Sequence, residues 1–427
     1  MRKVSMRILP FMFLLYVLNF LDRANVALAA LQMNRDLHFS ASAFGFGAGI
    51  FFAGYAIFEV PSNIALARIG ARRWIARIMI SWGIIATLMM FVRTPMSFYA
   101  LRFLLGVAEA GFFPGIVWYL SQWFPRERRA RAGSRFFIAL PTSGIVGGTL
   151  GSFLLSLDGR AGLSGWQWLF MIEGLPSIVV GFICLWYLTD NPSKAAWLTS
   201  EQREWLIDRM ERDVNEANTR HDLPALHALR RPVIWSLALP YFFMLTAGYA
   251  YTFWAPTVIK DALHISDTRA ALITALIALV SMMFMLLTAR SSDRHNERFF
   301  HAALGGILIA IGFTGAALIE NPVVRVMFFG LVIIGSNEML APFWCLPSMI
   351  LSGSAAAVGI ALINSLGNIG GFVGPYLIGF IKDVTGGTKG SFLALALFGV
   401  ASAVFCLVVR QSAFGVSARA YIAPDTV

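Results

Sequence analysis

Charge is the first thing this chain is short of. Only 13% of its 427 residues are Asp, Glu, Lys or Arg, against 58% that are hydrophobic. A soluble domain carries about 25% charged residues, so half the usual supply leaves too little polar surface to cover a water-facing globule. Cysteine is also scarce. Cys184, Cys345 and Cys406 lie singly within apolar runs, which excludes a disulfide framework or a thiolate metal site and leaves them as packing residues. The six histidines are scattered, mostly in loops. With no His-rich cluster, nucleophile elbow or paired catalytic motif, the sequence offers nothing for an enzyme. Acidic residues are outnumbered 23 to 34, a net charge of +11. That excess does not point to nucleic acid, because the basic residues sit in short gaps between apolar blocks, as the positive-inside rule expects.

What is present in quantity is long apolar runs. A bilayer-crossing helix needs about 20 residues, and twelve such spans can be drawn, at about 8–31, 44–66, 75–93, 97–120, 133–156, 166–189, 233–256, 268–289, 299–319, 323–345, 354–382 and 388–410. The last two are parted by the turn-forming Gly386-Gly387. The first span contains Asp22 and Arg23 and precedes no A-x-A cleavage pattern, so it reads as a retained helix and not a leader.

One polar stretch, about 190–231, interrupts the series. It is expected to be a partly helical linker with Leu198, Trp205, Leu206 and Met210 on one stripe. The fold class that follows is an all-α membrane protein with twelve transmembrane helices in two six-helix bundles. Residues 1–189 form the N-terminal bundle, 190–232 the cytoplasmic linker, and 233–427 the C-terminal bundle and tail. Two such bundles joined by a long loop are a recurrent plan of transporters, with the substrate site near mid-membrane. Orientation follows from Lys and Arg. The N-terminus carries Arg2, Lys3 and Arg7, and the even-to-odd loops carry Arg68, Arg72, Arg73 and Arg77, then Arg126, Arg128, Arg129, Arg131 and Arg135, then Arg290, Arg294 and Arg298. The opposite loops hold single residues such as Arg35, Arg93, Arg160 and Arg325. Both termini are therefore expected in the cytoplasm.

The informative residues are the ions inside spans, since a charge at mid-bilayer costs at least about 2.5–3.5 kcal/mol and usually faces a wet cavity or a partner. Asp22 and Arg23 lie past the middle of span 1, and Arg102 and Glu109 lie two helical turns apart in span 4, hence on one side of it. With span 1 running outward and span 4 inward, Asp22 and Glu109 reach similar depth. An arginine can hold a carboxylate through two parallel hydrogen bonds, and a carboxyl group buried at mid-membrane can load and lose a proton near neutral pH. Together they suggest proton-coupled movement of an organic anion; the bland alternative is a static ion pair. Glu59 reads as bracing a loop, Glu173 as a structural residue near the outer surface, and Glu338 is open between structure and function. Tyr55, Trp344, Asn364 and Asn368 are candidate cavity residues. Glycines in helical register, Gly144, Gly147, Gly148 and Gly151 in span 5 and Gly367, Gly370, Gly371 and Gly374 in span 11, suit close helix packing.

These residues carry a resemblance. Leu21-Asp22-Arg23-Ala24-Asn25, the run from Arg102 through Gly106 to Glu109, Gly165-Trp166-Gln167-Trp168 with Glu173-Gly174, and Gly359 through Asn368 with Gly370-Gly371 are similar to the anion:cation symporter family of the major facilitator superfamily. Its members include bacterial carriers for tartrate, phthalate, 4-hydroxyphenylacetate and sugar acids. The resemblance implies that Asp22 and Glu109 handle protons, that Arg23 contacts the substrate carboxylate, that Arg102 couples protonation to gating, and that Tyr55, Trp344 and Asn364 line the cavity. It implies a monomer in the bacterial inner membrane that uses protons as coupling ion and no cofactor. Phe20 stands where many sugar-acid carriers have Tyr. The loop of Ala67 through Arg73 lacks the superfamily's usual Asp, whereas Ser292 through Arg298 keeps Asp293. An exchanger without net proton flux and a non-transporting sensor remain open as alternatives.

Overall fold

The computed structural model describes residues 1–125, 139–218, 232–350 and 353–421. All regular structure among them is helical, with no strand. Helices α1 (Arg2–Asp36), α2 (Ala41–Ile69), α3 (Ala71–Leu88), α4 (Pro95–Glu109), α5 (Phe112–Ser121), α6 (Ala139–Leu155) and α7 (Gly165–Tyr187) precede a linker helix, α8 (Ser200–Asn218). Helices α9 (Pro232–Leu263), α10 (Asp267–His295), α11 (Phe299–Leu318), α12 (Pro322–Ile350), α13 (Gly353–Thr385) and α14 (Lys389–Tyr421) follow.

Among the described residues, nine helices are long and apolar enough to cross a membrane, α4 and α5 counting as one span, and Thr142–Leu155 within α6 is a shorter apolar helix. Helices α9 and α13 also have the length to cross a membrane. The total is the twelve spans read from the sequence. Several helix starts carry the chemistry that specifies them. Ser40 accepts from Ala43 N at 3.1 Å to cap α2, Thr94 and Ser97 form a capping box ahead of Pro95 on α4, and Ser164 and Gln167 do the same for α7; each satisfies backbone donors that a first helical turn leaves free. Helices α9, α10 and α14 run on past their apolar stretches to Leu263, His295 and Tyr421, because a helix satisfies its own backbone in water as well as in lipid. Large apolar side chains stand exposed along the spans, Trp186, Met96, Leu397, Met327 and Phe153 among them. A surface of that kind is expected where the solvent is hydrocarbon.

Contacts divide the chain into two compact units, Met1–Arg220 with Ala255–Leu279, and His221–Trp254 with Val280–Val427. The end of α9 and the first part of α10 thus group with the first unit, and small residues explain why. A Cβ on Gly148 would lie 2.6 Å from Ala275 Cβ, and one on Gly144 would lie 3.0 Å from Ala278 Cβ, so α6 and α10 approach almost backbone to backbone. Lys260 Nζ reaches the Leu31 carbonyl at 3.5 Å and pairs with Asp267 at 2.6 Å. In the second unit, Gly367, Gly370 and Gly374 of α13 lie against Tyr241, Thr246 and Ala250 of α9. Span 5 packs on span 1 through Gly147 and Gly151, against Leu21 and Leu28, as span 11 packs on span 7. This is the correspondence expected of two related halves.

The linker is tied to the first unit. Arg7 stacks over Tyr187 at 4.6 Å and Trp197 at 5.0 Å. The loop before α3 has no acid of its own, but Asp190 supplies one, accepting from Arg72 N at 2.9 Å. Of the expected linker stripe, Leu198 and Leu206 are buried while Trp205 is 52% exposed. Trp205 is a correction: it sits one residue, about 100°, off the face that Leu206 defines. The arginines from 126 to 135, assigned above to the loop after span 4, and Arg230-Arg231 lie outside the described residues.

Candidate functional site

Span 4 is two helices. The first, α4, stops at Glu109; Ala110 turns out to ψ 133°, and Gly111 follows in the left-handed region at φ 82°. An L side chain there costs about 1–2 kcal/mol, and a Cβ would also lie 2.4 Å from Ser62 Oγ on α2. Only glycine meets both conditions. The break sets Glu109 in the last turn of α4, and Arg77 donates to the Ala108 carbonyl at 3.4 Å, a cation at a helix C-terminus.

Glu109 forms an ion pair with Arg23 of α1, both side chains being buried. Aromatic rings surround the guanidinium: Phe51 at 5.1 Å, Phe20 at 5.2 Å, Tyr55 at 5.4 Å and Phe52 at 5.9 Å. Each ring face attracts the cation without carrying charge, worth about 0.5–2 kcal/mol. The expected roommate of Glu109 on span 4, Arg102, is fully buried and turned to α2. It donates to the carbonyls of Gly47 at 3.3 Å and Ala48 at 3.0 Å and lies 5.0 Å from the Phe51 ring. Arg23 and Arg102 thus share one phenyl ring.

Asp22 belongs to a different face. Its Oδ2 accepts from Trp82 Nε1 and from Ser177 Oγ, both at 2.7 Å, which directs it toward α3 and α7. Successive residues on a helix diverge by about 100°, so adjacency in sequence separates Asp22 from Arg23. Asp22 and Glu109 remain close enough to interact electrostatically. Glu173 is 3% exposed on α7 and lies against Asn25, one turn from the Asp22–Ser177 bond. Glu59 is buried on α2, where its carbonyl accepts from Asn63 at 2.9 Å.

Trp344 and Asn364 belong to the second unit. Trp344 packs edge-on against Tyr241 at 5.0 Å and against Phe343 at 5.7 Å, while Tyr241 stacks on Phe343 at 5.0 Å. Tyr241 also covers Gly367, one turn beyond Asn364. Asn368 is buried. Glu338 accepts from Thr288 at 3.4 Å, and its neighbour Asn337 donates to Ser281 at 2.8 Å. Charge inside apolar runs marks the ions of the first unit but not their neutral partners Trp82, Ser177 and Phe51. The one available signal was that a buried indole or phenol needs a hydrogen-bond partner.

The Major Facilitator Superfamily profile matches residues 12–375. This chain belongs to that superfamily. It is a multi-pass membrane transport protein and not an enzyme, as the sequence implied. A protein of Agrobacterium vitis named "Putative tartrate transporter" is 46% identical over 97% of this chain and 95% of its own. A "Quinolone resistance transporter" of Acinetobacter baumannii is 39% identical over 93% of this chain and 91% of its own. Among solved structures, a bacterial homolog to the human lysosomal transporter Spinster superposes with a TM-score of 0.80 at 19% identity, covering 97% of this chain and 98% of that one. At that identity the likeness speaks for the fold alone.

Proposed function

We propose that this protein is a proton-coupled symporter of a small organic carboxylate, tartrate-like in the first instance, in a bacterial inner membrane with both termini cytoplasmic. It works by alternating access, with no cofactor beyond the coupling proton. The observation that carries the reading is the buried Arg23–Glu109 pair inside a cage of neutral rings. A buried guanidinium needs one compensating carboxylate. Glu109 fills that role in the absence of cargo, and a substrate carboxylate fills it when Glu109 takes a proton. Loading of proton and anion are thereby linked through one cation. Arg102 touches the same Phe51 ring as Arg23, so a shift of one guanidinium is felt by the other through that ring, the coupling role assigned to Arg102. Asp22, held by Trp82 and Ser177, is the second proton-handling carboxylate. Tyr55, Trp344 and Asn364 are the proposed neutral substrate contacts.

The likeness to a protein named for tartrate favours a short dicarboxylate. The likeness to one named for quinolone resistance fits the same chemistry, since quinolone antibiotics carry a carboxyl group on an aromatic ring. The test is uptake of radiolabelled tartrate into proteoliposomes under an imposed proton gradient, with sugar acids and aromatic acids as competitors. Wild-type protein should accumulate label and alkalinise the outer medium. Glu109→Gln should lose gradient-driven accumulation at least tenfold while exchange of tartrate for tartrate falls less. Full accumulation by that variant removes Glu109 from the mechanism. Wild-type counterflow with no proton movement assigns the protein to anion exchange instead.

A further inference from the structure

Of the four carboxylates buried in the first unit, Asp22, Glu59, Glu109 and Glu173, the coupling scheme above uses two. Of the others, Glu173 lies in the seam where α1 meets α7. On α1, Asn19, Asp22 and Asn25 recur every three residues and are each 2% exposed, so they line one face of the helix. On α7, Ser177 and Glu173 are four apart and also share a face. The two faces meet as two rungs one turn apart: Ser177 donates to Asp22, and Glu173 lies against Asn25. The lower rung carries a hydrogen bond to Asp22 Oδ2, and the upper one carries none of normal geometry. Neither carboxylate oxygen of Glu173 completes a hydrogen bond of normal geometry, nor does Asn25 Nδ2, nor Asp22 Oδ1. Buried polar atoms are nearly always partnered, and a run of exceptions needs a reason.

Among the described residues, the elements packed around Glu173 present no cation to hold it as an ion. From α1 it faces Asp22, with which it interacts electrostatically. Arg23 on that helix turns away to Glu109. From α3, Gly83 and Thr87 approach the neighbouring Gly174, and that helix's own cations, Arg72, Arg73 and Arg77, lie toward its opposite end. Helix α6 and the turn at Met89–Phe91 carry no titratable residue. On α7 itself the other ionisable groups, Cys184 and Tyr187, are more than two turns away. Two buried carboxyl groups that interact electrostatically favour sharing a single proton over carrying two charges.

We propose that Glu173 is a third proton-handling residue, exchanging a proton with Asp22 across the α1–α7 seam and so giving the coupling proton a route separate from the Arg23–Glu109 site that takes the anion. In the step, a Glu173 carboxyl oxygen and Asp22 Oδ1, neither of which completes a hydrogen bond of normal geometry here, close to contact, and the O–H bond at Glu173 breaks as an O–H bond forms at Asp22 Oδ1. Glu173 is left as carboxylate and regains a proton from the aqueous phase opposite the chain termini. No heavy-atom bond changes and no oxidant or further reactant is needed. The amide of Asn25 stays neutral throughout and orients the Glu173 carboxyl. Glu173 is the position nearer the side opposite the termini, because α1 runs that way from Asp22 to Asn25.

The inference rests on proton coupling as proposed above, and one experiment separates the two. Tartrate accumulation, tartrate exchange and proton uptake by an entrapped pH dye are measured in proteoliposomes between pH 5 and 8 for wild type, Glu173→Gln and Glu173→Asp. Glutamine is the isostere of a permanently neutral acid. If Glu173 only packs, Glu173→Gln keeps the wild-type proton-to-tartrate ratio and pH profile, and the proposal is overturned while coupling stands. The expected result is a loss of proton-driven accumulation of at least tenfold, larger than the loss in exchange, with a displaced pH profile and partial recovery in Glu173→Asp. If Glu173→Gln loses exchange equally, Glu173→Asp decides: a displaced profile supports the relay and an unmoved one overturns it. Wild-type protein that moves tartrate without protons overturns both readings.

Discussion

The two units bury very different chemistry. Among the described residues, the first keeps Asp22, Arg23, Glu59, Arg102, Glu109 and Glu173 out of solvent, whereas the second buries a single ionisable side chain of this kind, Glu338. Around the second unit's candidate residues stand rings, Tyr241, Phe343 and Trp344. The backbones differ in the same sense. Span 4 of the first unit is broken at Gly111 beside its buried glutamate, while the corresponding span of the second unit, α12, runs unbroken from Pro322 to Ile350 despite two internal prolines. Ions are costly to bury, and a chain that keeps six in one half has concentrated there whatever needs a charge to change.

The harshest way to break that contrast is to remove its central cation. Arg23→Ala strips Glu109 of its partner and, on the proposed scheme, the anion of its holder. Unpairing a buried ion costs about 3–5 kcal/mol, and loss of tartrate uptake should exceed 100-fold, measured as kcat/KM in vesicles. A double variant, Arg23→Ala with Glu109→Gln, removes the stranded charge. It should regain thermal stability in detergent but no transport, showing that the pair is kept for function and not for folding. Transport by the single variant would move the anion site out of the first unit.

The backbone side of the comparison is sharpened at Gly111. Gly111→Ala forces a methyl group into a left-handed residue, at about 1–2 kcal/mol, and against Ser62 Oγ. Uptake should fall about tenfold with the protein still folded. Adding Ser62→Ala relieves the collision but not the dihedral strain, so only part of the activity should return. Full recovery would mean that the break itself is dispensable.

How much of this was legible beforehand depends on what writes itself into composition. The spans were, because each must carry an apolar run to survive in lipid, and among the described residues the structure places helix within each of the twelve. Asp22, Arg23, Arg102 and Glu109 were equally plain, since a charge inside such a run is conspicuous. Their directions were not. Arg102 and Glu109 share a side of span 4, yet one turns to α2 backbone and the other to Arg23. Asp22 and Arg23 are adjacent, yet face different helices. The neutral partners left no trace: Trp82 reads as one more apolar residue of span 3, and Asp190 as one more linker acid, until the fold brings them to Asp22 and to the start of α3. Glu173 looked peripheral from its place early in span 6. Gly111 is one of 38 glycines, and nothing nearby marks it as the one that breaks a helix.

A milder prediction concerns the second unit's neutral wall. Trp344→Ala should raise KM for tartrate about tenfold, near 1.4 kcal/mol, and change the preference among aromatic and aliphatic acids. The pH profile and proton ratio should stay where they are. A shifted pH profile would place part of the coupling chemistry in the second unit and weaken the division of labour between the halves.

The smallest effect is expected where the second unit does hold charge, at its surface between α10 and α11. Arg298 pairs with Asp293 at 2.6 Å. Glu297 accepts from Phe300 N at 2.8 Å and from His301 N at 3.1 Å, with His301 Nδ1 2.9 Å away. Partial burial by itself would raise the Glu297 carboxyl, but these donors at the first turn of α11 outweigh it, and the group sits below its usual range. A carboxylate favoured in the folded state stabilises the protein above its unfolded pKa of about 4.3, and that contribution disappears as pH falls through the lowered folded value. Glu297→Gln should therefore cost about 0.5 kcal/mol at pH 7 after allowance for solvent screening, seen as a slight fall in melting temperature. The gap to wild type should close progressively below about pH 4. A deficit that stays constant with pH would assign the effect to lost packing and leave the cap's charge without a role.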